Sequence, residues 1–481
     1  MTHTYSGPEL CALSAVEAVA ALKSGDVSPT ELLEAALSRI ETVEPSINAL
    51  PTLCAERARA HIARLGDRPA DDPAEDAAVW LAGLPVAITD LTPVAGVRTT
   101  FGTKGYADHI PDESYPLVER IERNGGVVIA KSNTPEMGAG ANTFNEVFGR
   151  TRNPWNTVLN PGGSSGGAAA ALATGEVWLA HGSDLGGSLR TPAAYCGVIG
   201  MRPSPGRAGG AGRDYAFSQE GVQGPMARTA EDCALLLDAM TGMDPRQPLT
   251  FDAPPVSFLE SVRRAEAPKR IAYAPDLCGF APVEPEVTAL MDGALNRLGG
   301  LGTDIVEGAP DITGLYDCYI TLRAMVWAAG PMQLDDDITR HFKKTLRENA
   351  ELGLALTGGQ IIDAQRRRSV LYLEMERLLR DVDALALPVV GLAAQKSEIE
   401  FPTEVAGVPH PHYMDWLKFS FLASTVGLPA ISVPIGFTAN GAPMGIQLIG
   451  KPRGEAGLLG IAKAMAEVTP GFGAPIDPIT P

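Results

Sequence analysis

Two serines set in glycine lie 24 residues apart in this 481-residue chain, in Gly162-Gly163-Ser164-Ser165-Gly166-Gly167 and in Asp184-Leu185-Gly186-Gly187-Ser188-Leu189-Arg190. Glycine frees the backbone to take positive φ and lets a substrate approach the main chain. Successive N–H groups in such a turn converge on one point and can stabilise an oxyanion. Either turn alone reads equally well as packing of a helix on a sheet; two within 24 residues are harder to assign to packing alone. Gly162-x-Ser164-x-Gly166 also fits a nucleophile elbow, which needs a preceding strand and a later histidine. Asn160-Pro161 precedes it instead, and the late histidines, His410 and His412, fall in a Pro-rich loop where solvent exposure is the plain expectation.

The surrounding pattern is that of an α/β protein. Ser28-Pro29-Thr30-Glu31 is a capping box with proline at the first helical position, followed by Leu33, Leu37, Ile40 and Val43 at helical spacing. Two N-terminal helices are expected, the second closed by Pro45, with a Pro- and Asp-rich linker at Asp67–Asp76. Pro85–Ile88 reads as a strand, Leu117, Val118 and Ile121 as a short helix, and Val127–Ala130 as the next strand. Ala168–Ala173 predicts a helix of small residues, and Pro203–Gly212 a loop. Later come a strand near Ile271–Ala274, a helix around Val287–Leu298, and helices bearing Tyr316, Tyr319 and Trp327. The strands Ala384–Val390, Ile431–Ile435 and Ile446–Ile449 are expected to join the same sheet.

Charge narrows the function. Lys plus Arg number 39 and Asp plus Glu 57, a net charge of −18, with ten lysines in all. Nucleic acid and anionic membranes call for clustered positive charge and are not expected partners. The 45% hydrophobic content supports a large core. Length alone suggests about three domains at roughly 150 residues each. No signal peptide or spanning segment is evident, and the six scattered cysteines fit reduced thiols in a cytoplasmic protein.

Gly83-Leu84-Pro85-Val86-Ala87-Ile88-x-Asp90, Lys131-Ser132-Asn133-Thr134-Pro135-Glu136, Asn153-Pro154-Trp155, the two serine motifs, Gly427–Pro434 and Gly441–Gly450 together resemble the amidase signature family. The likeness runs from about residue 8 to 468. It implies one α/β/α domain with a large mixed central β-sheet covered by helices, spanning 1–481. Within it, 8–75 would hold N-terminal helices, 80–240 the signature core, 250–375 a variable helical region lining the pocket, and 380–470 C-terminal strands and a helix. It also implies hydrolysis of an amide, ester or carbamate with no metal or organic cofactor. Ser188 would be the nucleophile and Ser164 the bridging serine on a cis peptide, relaying the proton. The N–H groups of Leu185, Gly186, Gly187 and Ser188 would form the oxyanion hole, with Asp184 and Arg190 bracing the loop.

One position departs from that pattern. The family's general-base lysine stands immediately before the Asp90 position, and here that residue is Thr89. A threonine hydroxyl has no accessible basic form near neutral pH. Lys131 matches a lysine the family also has and reads as structural, and Lys104 lies in a loop; neither is an obvious substitute, and Lys104 or an aspartate such as Asp90 remains the candidate replacement. Three readings stand open: a form whose base was removed, which suits trapping of a bound substrate; a divergent enzyme with a rearranged base; and a binding protein without catalysis.

Substrate-binding candidates are Met137, Gly138, Ala139, Tyr319, Trp327 and Trp416, whose aromatic and Met content suits an apolar acyl or amine portion. Similar family members include aryl acylamidases and urethanases. A small-molecule amide or carbamate substrate and a monomer or homodimer are expected. The A-type component of the tRNA amidotransferases is also similar and works beside a partner.

Overall fold

The computed structural model describes residues 4–66, 79–210 and 215–481. The Asp67–Asp76 linker lies outside the described residues, as does the end of the Pro203–Gly212 loop. Helix α1 (Pro29–Ile47) starts on the expected capping box: Ser28 Oγ accepts from the Glu31 N–H, and the Glu31 carboxylate accepts from the Ser28 N–H. It runs through Pro45 instead of stopping there, because a proline so near the end forfeits a single backbone bond while its φ still suits a helix. Glu9–Ala12, Ala15–Ser24 and Ala55–Gly66 add three further helices where periodicity gave one more.

In chain order the remaining elements that build the site are β1 (Thr52–Leu53), β2 (Pro85–Thr89), α2 (Pro116–Arg123), β3 (Val127–Ser132), α3 (Gly166–Thr174), β4 (Leu179–Asp184), α4 (Arg190–Cys196), β5 (Ile199–Arg202) and β6 (Val222–Ala227). Then come β7 (Arg270–Tyr273), α5 (Pro285–Gly299), β8 (Asp304–Glu307), α6 (Leu315–Ala329), α7 (Lys344–Leu354), β9 (Ala384–Pro388), β10 (Ala430–Phe437) and β11 (Pro443–Gly450). Eleven strands form one sheet in the order β1-β3-β2-β4-β6-β5-β10-β11-β9-β7-β8. It is mixed: β2 pairs in parallel with β3 and β4, whereas β4 with β6 and β10 with β11 are antiparallel. The fold is α/β with a large mixed central sheet, and strands from both ends of the sequence share it.

Residue chemistry explains the layering. β2 and β3 are buried along their whole length, consistent with continuous apolar runs covered on both faces. Helix α3 is buried all round, and its small residues let backbones meet: a Cβ at Gly167 would collide with the Asn133 nitrogen. One continuous apolar core links the N-terminal helices to the C-terminal strands, and a second small cluster gathers Ala139, Trp327, Phe342, Leu346 and Ala350. All six cysteines are unpaired. Among the described residues, no helix is long and apolar enough to cross a membrane, and no group of His, Cys, Asp and Glu is arranged to hold a metal ion.

Candidate active site

Ser188 sits on a strand–turn–helix junction between β4 and α4, the context an elbow requires; Gly162 has no strand before it. The turn is wound around a buried carboxylate. Asp184 accepts from the N–H groups of Gly187 and Leu189, each at 3.1 Å, from Arg190 Nε at 3.0 Å and Nη2 at 2.8 Å, and from Arg202 Nη1 at 3.2 Å. Burial alone would raise the Asp184 pKa. Arg190, then Arg202 and the Leu189 N–H, outweigh it and hold the carboxyl well below the usual carboxylate range. A depressed folded-state pKa gives stability that is present above about pH 4 and lost as pH falls below it. Asp184→Ala strips two buried arginines of their counter-charge and is expected to cost about 3–5 kcal/mol, read from the urea midpoint at pH 7.

Among the four N–H groups expected at the oxyanion hole, that of Gly187 donates to Asp184 at 3.1 Å, whereas those of Leu185, Gly186 and Ser188 donate to no described group. Gly186 is glycine for a steric reason: a Cβ there would collide with Tyr319 Oη. Tyr319 stacks on Phe421 with ring centroids 3.7 Å apart, fixing that phenol behind the turn.

Ser164 follows a cis peptide from Gly163 and is buried in the wall of the same cavity as Ser188, a space of about 520 Å³. The two serine turns are tied together by the Ser165 N–H, which donates to the Ser188 carbonyl at 3.1 Å.

Strand alternation decides what position 89 faces. Ile88 is registered with Lys131 on β3 and with His181 on β4, and Thr89 with Ser132. Registered residues of parallel strands share a face and successive residues alternate. Lys131 and His181 therefore lie on one face, and Thr89, Ser132 and Gly182 on the other. The second is the Ser165 face, since a Cβ at Gly182 would collide with Ser165 Oγ. Thr89 Oγ1 and Ser132 Oγ are both buried there with no hydrogen-bond partner.

The alternative bases are engaged elsewhere. Lys131 Nζ bonds Thr92 O at 2.8 Å, Thr99 Oγ1 at 2.9 Å and Asp90 Oδ1 at 3.3 Å; burial lowers its pKa to about 8 against the pull of Asp90. Asp90 also accepts from Thr100 N and Oγ1. Lys104 is half exposed and pairs with Glu146 at 2.8 Å. Burial pushes His181 down to about 4, so it is neutral, and its Nε2 meets Gln223 Oε1 at 2.8 Å. The late histidines correct the exposure expectation: His410 is 3% exposed and His412 half-buried, because that loop folds back onto the core, and neither lines the cavity.

Of the substrate-binding candidates, Met137, Gly138 and Trp327 line the cavity. Ala139, Tyr319 and Trp416 do not: Ala139 packs in the Phe342 cluster, Tyr319 backs the Gly186 turn and Trp416 is in the main core. The 3.6 period of α6 marks which residues are inside without telling core from wall. Met414 and Leu417, neighbours of Trp416, reach the wall in its place. Arg323, also in the wall, was not singled out; a lone arginine between Tyr319 and Trp327 on an apolar helix was the available signal.

A serine in the turn after a central strand, a second serine turn tied to it and free backbone N–H groups over one cavity are the parts of a serine-dependent acyl-transfer enzyme. The comparisons agree. The amidase family model matches residues 31–459, and the chain belongs to that family. It is 34% identical over 475 residues to the acylamidase of Rhodococcus erythropolis, covering 95% of this chain and 96% of that protein. It is 33% identical over 466 residues to the A-type component of the glutamyl-tRNA(Gln) amidotransferase of Synechococcus sp. (strain CC9605), covering 92% and 93%. A bacterial aryl acylamidase of the amidase signature family superposes with a TM-score of 0.87 at 25% identity over 96% of this chain and 98% of that one. The 6-aminohexanoate cyclic dimer hydrolase in complex with its substrate does so with 0.83 at 29%, over the same shares. By class the chain is an amide C–N hydrolase.

Proposed function

We propose that the chain hydrolyses acyl amides through a Ser188 acyl-enzyme, with Ser164 relaying the proton, and that Thr89 leaves this form without its general base. The observation that carries the reading is the convergence of Ser188, Ser164 and the unengaged N–H groups of Leu185, Gly186 and Ser188 on one cavity. Ser188 Oγ adds to the carbonyl carbon as its proton passes to Ser164, which hands its own proton on to the nitrogen of the departing amine. The tetrahedral oxyanion, held by those N–H groups, collapses and expels the amine with that proton. Water then releases the acid and restores Ser188.

Amines leave only when protonated, whereas an activated phenol leaves as its anion, so loss of the acid/base group falls hardest on amides. The test compares 4-nitrophenyl acetate, 4-nitroacetanilide and a phenyl carbamate. The unaltered chain is expected to favour the ester over the amide at least about tenfold more strongly than its Thr89→Lys variant. An ester-to-amide ratio indifferent to that substitution would remove position 89 from the account.

The likeness to the amidotransferase component, at 33% identity, supports a second reading, in which the chain releases ammonia beside a partner. That reading predicts preference for glutamine and instability without a partner; the first predicts a stable monomer or homodimer on purification.

A further inference from the structure

Among the described residues, the apolar cavity carries a cation with no counter-ion. Arg323, in the middle of α6, is 4% exposed and lines the cavity with Trp327 and Val326. Its Nη1 donates to Asn349 Oδ1 on α7 and its Nη2 to Tyr413 Oη, both neutral acceptors. Its guanidinium lies over the rings of Trp327, 5.1 Å from the centroid, and Tyr413, at 5.3 Å. Among the described residues no carboxylate forms an ion pair with it. Glu400 is paired with Lys343, Glu348 with Lys344, and Asp415 takes the Tyr316 hydroxyl and the His412 N–H. Asp184, the other charged residue of the wall, is already shared by Arg190 and Arg202. The indole N–H of Trp327 is buried without an acceptor as well.

A buried charge left without a counter-ion is costly, and a guanidinium has five donors of which two are used here. Two side chains of the wall thus hold spare donors and bring no acceptor of their own. No described residue supplies one, and a bound ligand can. A carboxylate matches the guanidinium in charge and in its paired oxygens. The chain's net charge of −18 repels anions in general, so this is local recognition and not steering by the whole surface.

We propose that Arg323 determines specificity, selecting amides that carry a carboxylate separated from the scissile bond by an apolar segment. Half-amides of dicarboxylic acids and acylated amino acids have that chemistry. The proposal rests on the acyl-transfer reading for its kinetics, but its binding arm does not.

Binding is measured by calorimetry on the unaltered protein with two matched pairs, glutaric monoanilide against valeranilide and N-butyryl-4-aminobenzoate against butyranilide. At least one anionic member is expected to bind about 10–100-fold tighter than its neutral partner. Equal affinities in both pairs would overturn the proposal. In the Thr89→Lys background, Arg323→Met is expected to lower kcat/KM for the preferred anionic anilide at least tenfold and leave its neutral partner within about threefold. Arg323→Lys, which keeps the charge on a similar stem, is expected to retain part of the preference and covers a Met variant that fails to fold. Equal losses on both members of the pair would make Arg323 a packing residue and overturn the proposal. If Thr89→Lys hydrolyses neither while the unaltered chain still prefers the anion, the reaction reading fails and the binding site stands.

Discussion

Replacing Thr89 by lysine is expected to raise kcat/KM for simple aryl amides by about 10²–10⁴-fold, read as initial rates of 4-nitroaniline release from 4-nitroacetanilide. The reasoning starts from register. Thr89 and Ser132 are paired residues on the Ser165 face of the sheet, at the ends of β2 and β3, and β2 lies parallel to β4, the strand before the Ser188 turn. Both hydroxyls are buried without partners on the face that carries Ser165, and neither is basic near neutral pH. A lysine amine introduced there would be desolvated, which lowers its pKa and makes the neutral, basic form accessible. Its neighbours on that face, including the unpartnered Ser132 hydroxyl, could hold it by hydrogen bonds. Lys131 does not substitute, since alternation places it on the opposite face, engaged by Asp90, Thr92 and Thr99. Thr89→Met separates basicity from bulk: it adds similar volume without nitrogen and is expected to leave the amide rate where the unaltered chain has it. Equal gains from Met and Lys would mean that packing, not proton transfer, limits this site.

The second large effect is loss of that gain when either serine is removed. In the Thr89→Lys background, Ser188→Ala is expected to cut amide turnover by at least about 10³-fold, and Ser164→Ala by a similar order. The double variant is expected to be little worse than Ser188→Ala, because residues that act as one unit are not additive. Residual hydrolysis above the uncatalysed rate would come from the oxyanion N–H groups and substrate positioning alone. Structural damage is a weaker explanation here, since Ser188 is only partly buried and its Oγ is absent from the hydrogen bonds that hold the turn. Additive losses for the two serines would separate Ser164 from the relay.

Much of this architecture was legible locally. The capping box of α1, the apolar runs of β2 and β3 and the small-residue helix α3 each depend on nearby residues, and periodicity captured them. β4 did not announce itself: Leu-Ala-His-Gly-Ser-Asp lacks β-branched residues, and it becomes a strand because β2 and β6 flank it in the sheet. Yet β4 is the strand that presents Ser188. The site serines were readable because glycine-flanked turns leave a signature that does not depend on distant partners. The cavity wall was not. Tyr319 and Trp327 lie on the same helix, yet one backs the oxyanion turn and the other meets substrate space, a distinction set by α6 packing. Arg323 escaped for the converse reason, since its meaning lies in the lack of a paired carboxylate among the described residues around it. The Gly187 N–H could be assigned to Asp184 only once the turn was seen in three dimensions.

The most direct test of the central claim is the intact mass of the chain after mixing with 4-nitrophenyl butyrate, followed by peptide mapping. The account predicts one butyryl group on the peptide containing Ser188. It should persist in the unaltered chain, where water attacks the acyl group without a base, and clear at least about tenfold faster in the Thr89→Lys variant. An adduct absent from Ser188, or equal lifetimes in the two forms, would contradict it.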